Sequence, residues 1–470
     1  MPAGQGKEPS RLLLELLRSA TSHHSRGDLA RAEGEYLRLL EHGYRKADIL
    51  LLLARVVAQQ GNLEAAIGHL DAMLVLVPDH LEALIEKGVL LHRLGRADDA
   101  ARCLAIARSI APESEPVRKN LGAALADSGR RHEALSEFRR LLELHPDDVF
   151  VRHQIRRLIS AMVPFWHIPM LNDERRNHAF ERAIRQAVQT QGADARILDI
   201  GTGSGLLSMM AARAGAGNIV TCEKALLIAE TAEQIIATNG YERQIRIINR
   251  DSRQVVVGTD MDARADILIS EILSSDLLAE DVLSTFEDVH ARLLRPDAVI
   301  IPRAATAVGC LVESDALFAF VADVSGFDLS LFGPLAAQRL PVHGSMTSWR
   351  RLSKDIELLR IDLSAKQHPP DIRSCPVVVE RDGVAAGVVQ WMNIDLADGV
   401  TFSNHPDETS DGGWLQVLHS FPQPIFVTAG EHLDLMVGHD RNSLIMMPPH
   451  DPAGRRMNKA GLRASGRRTA

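Results

Sequence analysis

Apolar residues in the first 150 positions recur at the three- and four-residue spacing of amphipathic helices. The stretches DILLLLARVVAQQ (residues 48–60) and EALSEFRRLLELH (residues 133–145) show the pattern clearly. The same arrangement returns every 34 residues. Four sets of residues keep this period: Gly27, Gly61, Gly95 and Gly129; Ala32, Ala66, Ala100 and Ala134; Pro78, Pro112 and Pro146; and the small residues Ala20, Ala54, Gly88 and Gly122.

This 34-residue period indicates a repeated pair of helices. Each glycine ends a first helix, each alanine permits close packing of the second, and each proline ends the second. The repeat resembles the tetratricopeptide repeat (TPR) family, with about four repeats. We therefore expect a TPR α-solenoid over residues 10–150, because one helix pair cannot bury its apolar face alone. Its groove is expected to recruit a protein partner or substrate, although a spacer or dimerisation element would fit the same pattern.

From about residue 160 the pattern changes to alternating strands and helices. ARILDI (Ala195–Ile200) is typical of a buried strand, LLSMMAARAGA has helical periodicity, and NIVTCE (Asn218–Glu223) predicts the next strand. This order is the opening βαβ unit of a doubly wound sheet. We expect a Rossmann-like domain over residues 160–302.

The turn after the first strand indicates an adenosyl ligand. Three glycines (Gly201, Gly203 and Gly205) follow Asp199 with GxGxG spacing, whereas a dinucleotide site has GxGxxG. Glu223 ends the second strand, where a carboxylate can accept both ribose hydroxyls. After the third strand, Asp251 and Ser252 could hydrogen-bond the adenine edge. The pattern favours S-adenosylmethionine over a nicotinamide dinucleotide, and Asp199 either contacts the ligand or holds the glycine loop.

Two glutamates follow the fourth strand. Glu271 ends ADILISE, and Glu280 lies nine residues further on. Because ligands of open α/β sheets lie beyond the carboxyl ends of the strands, Glu271 should face the cofactor, and a loop can return Glu280 opposite it. Two facing carboxylates suit a guanidinium, whose planar set of donors can be held from two sides.

These features together resemble the protein arginine methyltransferase family. SEILSSDLLAE (residues 270–280) is similar to the family's double-glutamate loop, and residues 166–177 are similar to its N-terminal HxxMLxDxxR signature. The order of TPR domain and catalytic domain is most like the family's TPR-bearing member. The resemblance implies that Arg176 binds the methionyl carboxylate, that Met170 packs beside the sulfonium, and that Glu271 and Glu280 clamp an arginine of a protein substrate.

The family resemblance extends to the C-terminal region and implies a β-barrel over residues 303–452. Gly326-Phe327-Asp328 is similar to the start of a helical dimerisation arm, so a homodimer is possible. Many members also have a Thr-His-Trp loop whose histidine pairs with the signature acid, here Asp173. The matching stretch here is Gly412-Gly413-Trp414. His405 could replace the missing histidine, and the product could be mono-, symmetric or asymmetric dimethylarginine.

Composition adds a few expectations. No run of about 18 apolar residues predicts a membrane helix, and the N-terminus lacks a signal-peptide pattern, so we expect a cytoplasmic protein. The net charge of −8 argues mildly against nucleic-acid binding. Four widely spaced cysteines form no metal-ligand pattern and are expected to be buried thiols. Residues 453–470 contain six basic residues and, past Asp451, no acid, which predicts a disordered basic tail.

Two other functions fit the same residues. One is a methyltransferase that acts on a small amine. The other is a TPR adaptor whose methyltransferase domain binds cofactor without catalysis. The presence of the glycine loop, Glu223 and both glutamates speaks against the adaptor.

Overall fold

The computed structural model describes residues 11–314, 323–335, 339–342, 349–408 and 412–448. The chain divides into two compact units, Met1–Val163 and Pro164–Ala470. The predicted basic tail, residues 453–470, lies outside the described residues.

The first unit is a succession of helices, as the 34-residue period predicted. The helices are α1 (Arg11–Ser25), α2 (Leu29–Glu41), α3 (Lys46–Gln59), α4 (Leu63–Leu76), α5 (Leu81–Arg93), α6 (Ala97–Ile110), α7 (Glu115–Asp127), α8 (Arg131–Leu144) and α9 (Val149–Met162). Two of the small residues show why the period is kept. A Cβ atom on Gly88 would lie 2.5 Å from Leu104 Cγ, and one on Gly122 would lie 2.8 Å from Phe138. The TPR α-solenoid is confirmed.

The second unit begins with two helices, α10 (His167–Asn172) and α11 (Glu174–Gln191), and continues with a parallel sheet. The strands are β1 (Arg196–Ile200), β2 (Asn218–Cys222), β3 (Ile245–Ile248), β4 (Ala265–Ser270) and β5 (Leu294–Ile301), and the intervening helices are α12 (Leu206–Arg213), α13 (Leu226–Thr238) and α14 (Val282–Arg292). The strand order is β3-β2-β1-β4-β5, and all pairs are parallel. The doubly wound α/β prediction is confirmed. The carboxyl ends of β1, β2 and β4 therefore meet at one edge.

Antiparallel sheets follow in the region where the sequence predicted a C-terminal β-barrel. Their strands are β6 (Ala304–Glu313), β7 (Asp323–Val324), β8 (Phe327–Asp328), β9 (Arg339–Pro341), β10 (Arg350–Arg351), β11 (Ile356–Asp362), β12 (Asp371–Val378), β13 (Gly383–Ala397), β14 (Val400–Ser403), β15 (Val417–Val427), β16 (His432–His439) and β17 (Leu444–Met447). The larger sheet has the order β10-β6-β13-β15-β9, with β11 on β6 and β14 on β13. A second sheet has the order β12-β16-β17. One apolar core joins the parallel sheet to the β domain.

The described residues also bear on the cysteines, on membrane-spanning helices and on metal binding. All four cysteines are buried and free. Within the described ranges, no helix is long and apolar enough to cross a bilayer. The described side chains of His, Cys, Asp and Glu also form no group that could hold a metal ion.

Candidate functional site: two carboxylates and an arginine beside a glycine loop

The glycine loop lies at the carboxyl end of β1 and has a backbone that requires glycine. Gly201, Gly203 and Gly205 have φ angles of 83°, 52° and 80°. At Gly201 a Cβ atom would lie 3.0 Å from Ile272, the residue after Glu271. A Cβ atom on Gly203 would have its nearest neighbour, Gly201 O, 3.9 Å away, so this part of the loop is open. The loop thus leaves room for a ligand to approach its backbone.

Glu223 follows β2 and is held against this loop. One carboxylate oxygen accepts a hydrogen bond from Gly203 N (3.2 Å), and the other accepts one from Ala225 N (2.9 Å). Each oxygen keeps a free lone pair, because a carboxylate offers about four acceptor sites. The position fits a carboxylate that accepts hydrogen bonds from a ribose diol.

Asp199 lies inside the sheet edge rather than on its surface. Its side chain is 1% exposed, and it accepts a hydrogen bond of 2.5 Å from Ser208 Oγ of α12. Oδ1 has no hydrogen-bond partner among the described residues. Burial raises the pKa of Asp199 to about 7, and the nearby charges of Glu223 and Glu271 add to the rise. Of the two roles open for Asp199, the bond to Ser208 supports the one that holds the glycine loop.

Replacing Asp199 with Asn should change the pH dependence of stability. In the folded protein the carboxyl stays protonated up to about pH 7. In the unfolded chain it has its ordinary pKa of 3.8, so it is ionised above about pH 4. The folded state then binds more protons, so stability falls as pH rises through this window. One pKa unit corresponds to about 1.4 kcal/mol, so the wild type should lose about 1 kcal/mol more than Asp199→Asn between pH 6 and pH 8. Urea unfolding at both pH values measures this; equal losses would contradict it.

Asp251 and Ser252 follow β3, at the beginning of a short 3-10 helix (Ser252–Gln254). Ser252 is buried. Asp251 accepts hydrogen bonds from Arg253 N (2.9 Å) and Arg253 Nε (3.0 Å). The guanidinium of Arg253 holds the pKa of Asp251 below its usual value. β3 pairs with β2, and Glu223 follows β2. Asp251 and Ser252 therefore lie where an adenine could continue from a ribose held by Glu223.

The centre of the site is a buried ion pair between Arg176 and Glu271. Arg176 Nη2 donates to Glu271 Oε2, and the two side chains are 3% and 5% exposed. The guanidinium carbon lies 5.0 Å from the centre of the Phe180 ring and 5.4 Å from the centre of the Trp414 ring. Arg176 Nε is buried and has no hydrogen-bond partner among the described residues. An unpaired buried donor beside a carboxylate-binding guanidinium fits an additional anionic group, such as the carboxylate of a methionyl moiety.

Glu280 lies close enough to influence Glu271. Burial raises the pKa of Glu271, and the negative charge of Glu280 raises it further, whereas Arg176 opposes the rise. Glu280 itself is exposed and has a φ angle of 73°, and Leu277 and Asp281 also have positive φ (70° and 60°). Such backbone is costly for residues other than glycine and persists only where surrounding contacts hold it. The surrounding contacts therefore hold the bend that carries Glu280, whose side chain stands at the open side of the site, whereas Glu271 is held by its ion pair with Arg176.

The β domain supplies contacts that hold the double-glutamate loop, residues 270–280. Trp414 Nε1 donates to Leu273 O (2.9 Å), and Leu415 N donates to Ser275 Oγ (3.0 Å). Gln390 of β13, which is fully buried, donates to Ser275 O (3.3 Å). Gln390 could not be identified from the sequence, because a single polar residue within an apolar strand gives no signal of its own.

The chain is similar in sequence to known methyltransferases and repeat proteins. Residues 181–302 match the family model for ribosomal protein L11 methyltransferase (PrmA), and residues 17–80 match a tetratricopeptide-repeat model. The arginine N(omega)-methyltransferase of Streptomyces achromogenes subsp. streptozoticus is 35% identical over 324 residues, which cover 68% of this chain and 89% of the relative. The chain belongs to the arginine N-methyltransferase family.

More distant relatives carry the same family name. Protein arginine N-methyltransferase 7 of Drosophila erecta is 29% identical over 319 residues, or 58% of this chain, but the match spans only 46% of the fly protein. A solved structure of the Trypanosoma brucei PRMT1 enzyme–prozyme heterotetramer with AdoHcy has a TM-score of 0.52 at 23% identity, and the match covers 58% of this chain and 86% of that chain. This structure supports the fold of the second unit.

Among the described residues of this arginine methyltransferase, no histidine pairs with Asp173. Asp173 Oδ1 instead accepts a hydrogen bond from Arg176 N (3.0 Å) and caps α11. His405 contacts Asp355 (3.2 Å) and Arg351 (3.3 Å) and packs edge-on against a tryptophan ring. The suggestion that His405 replaces the missing histidine is therefore not supported, because its hydrogen bonds are made elsewhere.

Asp276 lies between the two glutamates and has partners that the sequence did not reveal. Oδ1 accepts from Ser274 Oγ (2.5 Å) and Ala279 N (3.3 Å), and Oδ2 accepts from Arg339 Nη1 of β9 (3.1 Å). The carboxylate of Asp276 thereby links Ser274 to Ala279 within the bend that carries Glu280.

Asp276→Ala should lower kcat/KM for the methyl acceptor by about tenfold, because loss of these hydrogen bonds releases the bend before Glu280. Asp276→Asn should retain most activity, since its amide oxygen can still accept from Ser274 and Ala279. Arg339→Gln breaks only a partly exposed ion pair and should change kcat/KM by less than about threefold. Steady-state kinetics of the three variants measure this, and full activity of Asp276→Ala would rule the bridge out.

Proposed function

We propose that this protein transfers a methyl group from S-adenosylmethionine to a guanidino nitrogen of arginine in a protein substrate. The observation that carries the proposal is the buried ion pair of Arg176 and Glu271 at the edge of the sheet, with Glu280 near enough to raise the pKa of Glu271. A carboxylate in this place already binds one guanidinium, so its chemistry suits a second.

The residues at the sheet edge fit the cofactor. Glu223 would hold the ribose, Asp251 and Ser252 the adenine, and Arg176 Nε the carboxylate, with Met170 beside the sulfonium. The bound cofactor would supply an electrophilic methyl group. The open backbone at Gly203 and the unpaired Arg176 Nε are the observations that support this fit.

The two glutamates would orient and polarise the substrate. An arginine side chain is protonated at neutral pH, and its nitrogens are poor nucleophiles. Carboxylates on one side of the guanidinium localise the positive charge there and leave the opposite nitrogen richer in electrons. Glu271, whose pKa is raised, is also the better acceptor for the proton that the methylated nitrogen releases. Orientation at near-attack distance would provide much of the acceleration.

A cleft in the TPR unit supports a role in recruiting protein substrates. Between α3 and α5 it has a volume of about 240 Å³ and a largely apolar lining. Ala54, Ala58, Ile85 and Val89 contribute to this lining. Arg55 at its rim is paired with both Glu82 and Glu86, so its positive charge is already matched by two carboxylates. An apolar side chain of a partner fits this cleft better than a strongly charged segment.

Free arginine is a second candidate substrate. It is favoured by the 35% identity to an enzyme named for arginine itself. Free arginine is one member of the wider class of small-amine substrates that the sequence also allowed. The TPR cleft favours the protein substrate, because a small molecule has no need of it.

Assembly and location also remain proposals. Large apolar side chains are exposed along residues 327–335, with Phe327 69%, Leu331 91% and Phe332 62% exposed. This surface supports a homodimer formed through the predicted arm. We also propose that the enzyme is cytoplasmic and has no nucleic-acid or membrane partner. The net charge of −8 supports the absence of a nucleic-acid partner.

Labelled S-adenosylmethionine distinguishes the substrates. The purified full-length chain is incubated with free arginine and, separately, with a protein extract, and initial rates are compared at equal arginine concentration. Label on arginine residues of proteins, reduced by Val89→Asp in the TPR cleft, supports the proposal. Equal labelling of free arginine by wild type and Val89→Asp, with no labelled protein, would favour the free amino acid.

A further inference from the structure

Gly413 lies directly against the backbone of α10, the helix that carries Met170. A Cβ atom on Gly413 would lie 2.6 Å from Met170 Cα, 2.7 Å from Met170 N and 2.8 Å from Met170 Cβ. Real Cβ atoms essentially never approach other atoms below 3.0 Å. Backbone atoms cannot rotate away, so any side chain at this position would displace α10.

Gly412 makes a similar but softer contact with the next helix. A Cβ atom there would lie 2.8 Å from Asp173 Oδ2, which is the end of a side chain. The other oxygen of Asp173 caps α11 through Arg176 N. A small shift of this carboxylate could therefore accommodate alanine at position 412.

Trp414 continues the same line of contacts into the centre of the site. Its ring lies 5.4 Å from the guanidinium of Arg176, and its Nε1 donates to Leu273 O. Gly412 thus contacts the Asp173 cap of α11, and Gly413 contacts α10. Trp414 contacts Arg176 of the ion pair and the double-glutamate loop. None of these contacts uses a side chain at position 413.

We infer that Gly413 is a positioning residue that places α10, and with it Met170, relative to Arg176. The contact between Gly413 and α10 does not depend on the proposed function. Only the role of α10 in placing Met170 beside the cofactor rests on that function. Glycine at this position is therefore a requirement of this chain rather than a lost histidine. Restoring histidine should harm the site, because Asp173 is already engaged as a helix cap and the space is filled by Met170.

Alanine and histidine substitutions test the inference against a matched glycine. Gly413→Ala and Gly413→His should raise the Kd for adenosylhomocysteine at least tenfold. Gly217→Ala is the control, since its Cβ would find its nearest atom 3.8 Å away; its Kd should not change. Gly412→Ala should raise the Kd by about two- to threefold. In an Asp173→Ser background, which keeps a helix-capping oxygen but removes Oδ2, this increase should disappear.

Hydrogen exchange separates a local role from general instability. In Gly413→Ala, amides of α10 should exchange faster, while those of β1 and β4 should keep wild-type protection. At saturating S-adenosylmethionine, kcat should fall less than the KM for the cofactor rises. Wild-type affinity in both Gly413 variants, higher activity in Gly413→His, or loss of protection throughout the sheet would each overturn the inference. Adenosylhomocysteine binding does not require arginine methylation, so a failure of the proposed function would be seen separately, in the wild type.

Discussion

Glu280→Gln is expected to lower kcat/KM for the arginine substrate by at least about 100-fold, with little change in cofactor affinity. Glutamine keeps the size of the side chain but removes the negative charge that polarises the guanidinium. Loss of one preorganised polar group aimed at the charge that develops in the transition state costs about 2.7 to 4 kcal/mol. Glu280 makes no hydrogen bond to the glycine loop among the described contacts, so the Kd for adenosylhomocysteine should stay within about twofold.

The neighbouring acid gives a matched control for this prediction. Asp281 is also exposed, also has a positive φ angle, and lies 3.6 Å from Arg253 rather than near the ion pair. Asp281→Asn should change kcat/KM by less than about threefold. Steady-state kinetics and calorimetric titration of both variants provide the measurement. Unchanged kinetics in Glu280→Gln would favour a small-amine methyltransferase.

Arg176→Met is expected to abolish measurable adenosylhomocysteine binding and to destabilise the second unit by about 3–5 kcal/mol. The destabilisation arises because Glu271 would remain buried without its partner, and an unpaired buried charge is strongly unfavourable. Removal of both charges, in Arg176→Met with Glu271→Met, should restore much of the stability, since apolar replacements of a buried pair are often neutral or stabilising. Binding and activity should remain absent in the double variant.

Arg175→Ala is the control for this pair of variants. Arg175 is adjacent in sequence, but it forms a half-exposed ion pair with Glu408 (2.9 Å). Its loss should cost less than about 1 kcal/mol and leave binding intact. Urea unfolding and calorimetric titration measure both quantities. A stable Arg176→Met that still binds adenosylhomocysteine would show that this arginine does not hold the cofactor.

Much of the fold could be predicted because it depends on local periodicity. The 34-residue spacing gave the helix pairs of the first unit, and the predicted strand Ala195–Ile200 differs from β1 by one residue. The glycine loop was predictable for the same reason, because three closely spaced glycines indicate a backbone with positive φ angles. Such features need no knowledge of distant contacts.

The residues that hold the site were less accessible, because their partners are far away in the chain. Arg176 and Glu271 are 95 residues apart, and Gln390 and Ser275 are 115 apart. No periodicity links such pairs. Gly413 was visible in the sequence only as a missing histidine, and the contact with Met170 that explains it arises from tertiary packing.

The position of the transferred methyl group tests the central claim most directly. Wild-type full-length protein is incubated with S-adenosylmethionine and the best acceptor from the labelling experiment, and the product is fragmented by tandem mass spectrometry. If Glu271 and Glu280 hold the substrate guanidinium, the methyl group should lie on a terminal guanidino nitrogen of arginine, and it should form at least about 100-fold more slowly with Glu280→Gln. A methyl group on lysine, or on any atom other than a guanidino nitrogen, would contradict the account.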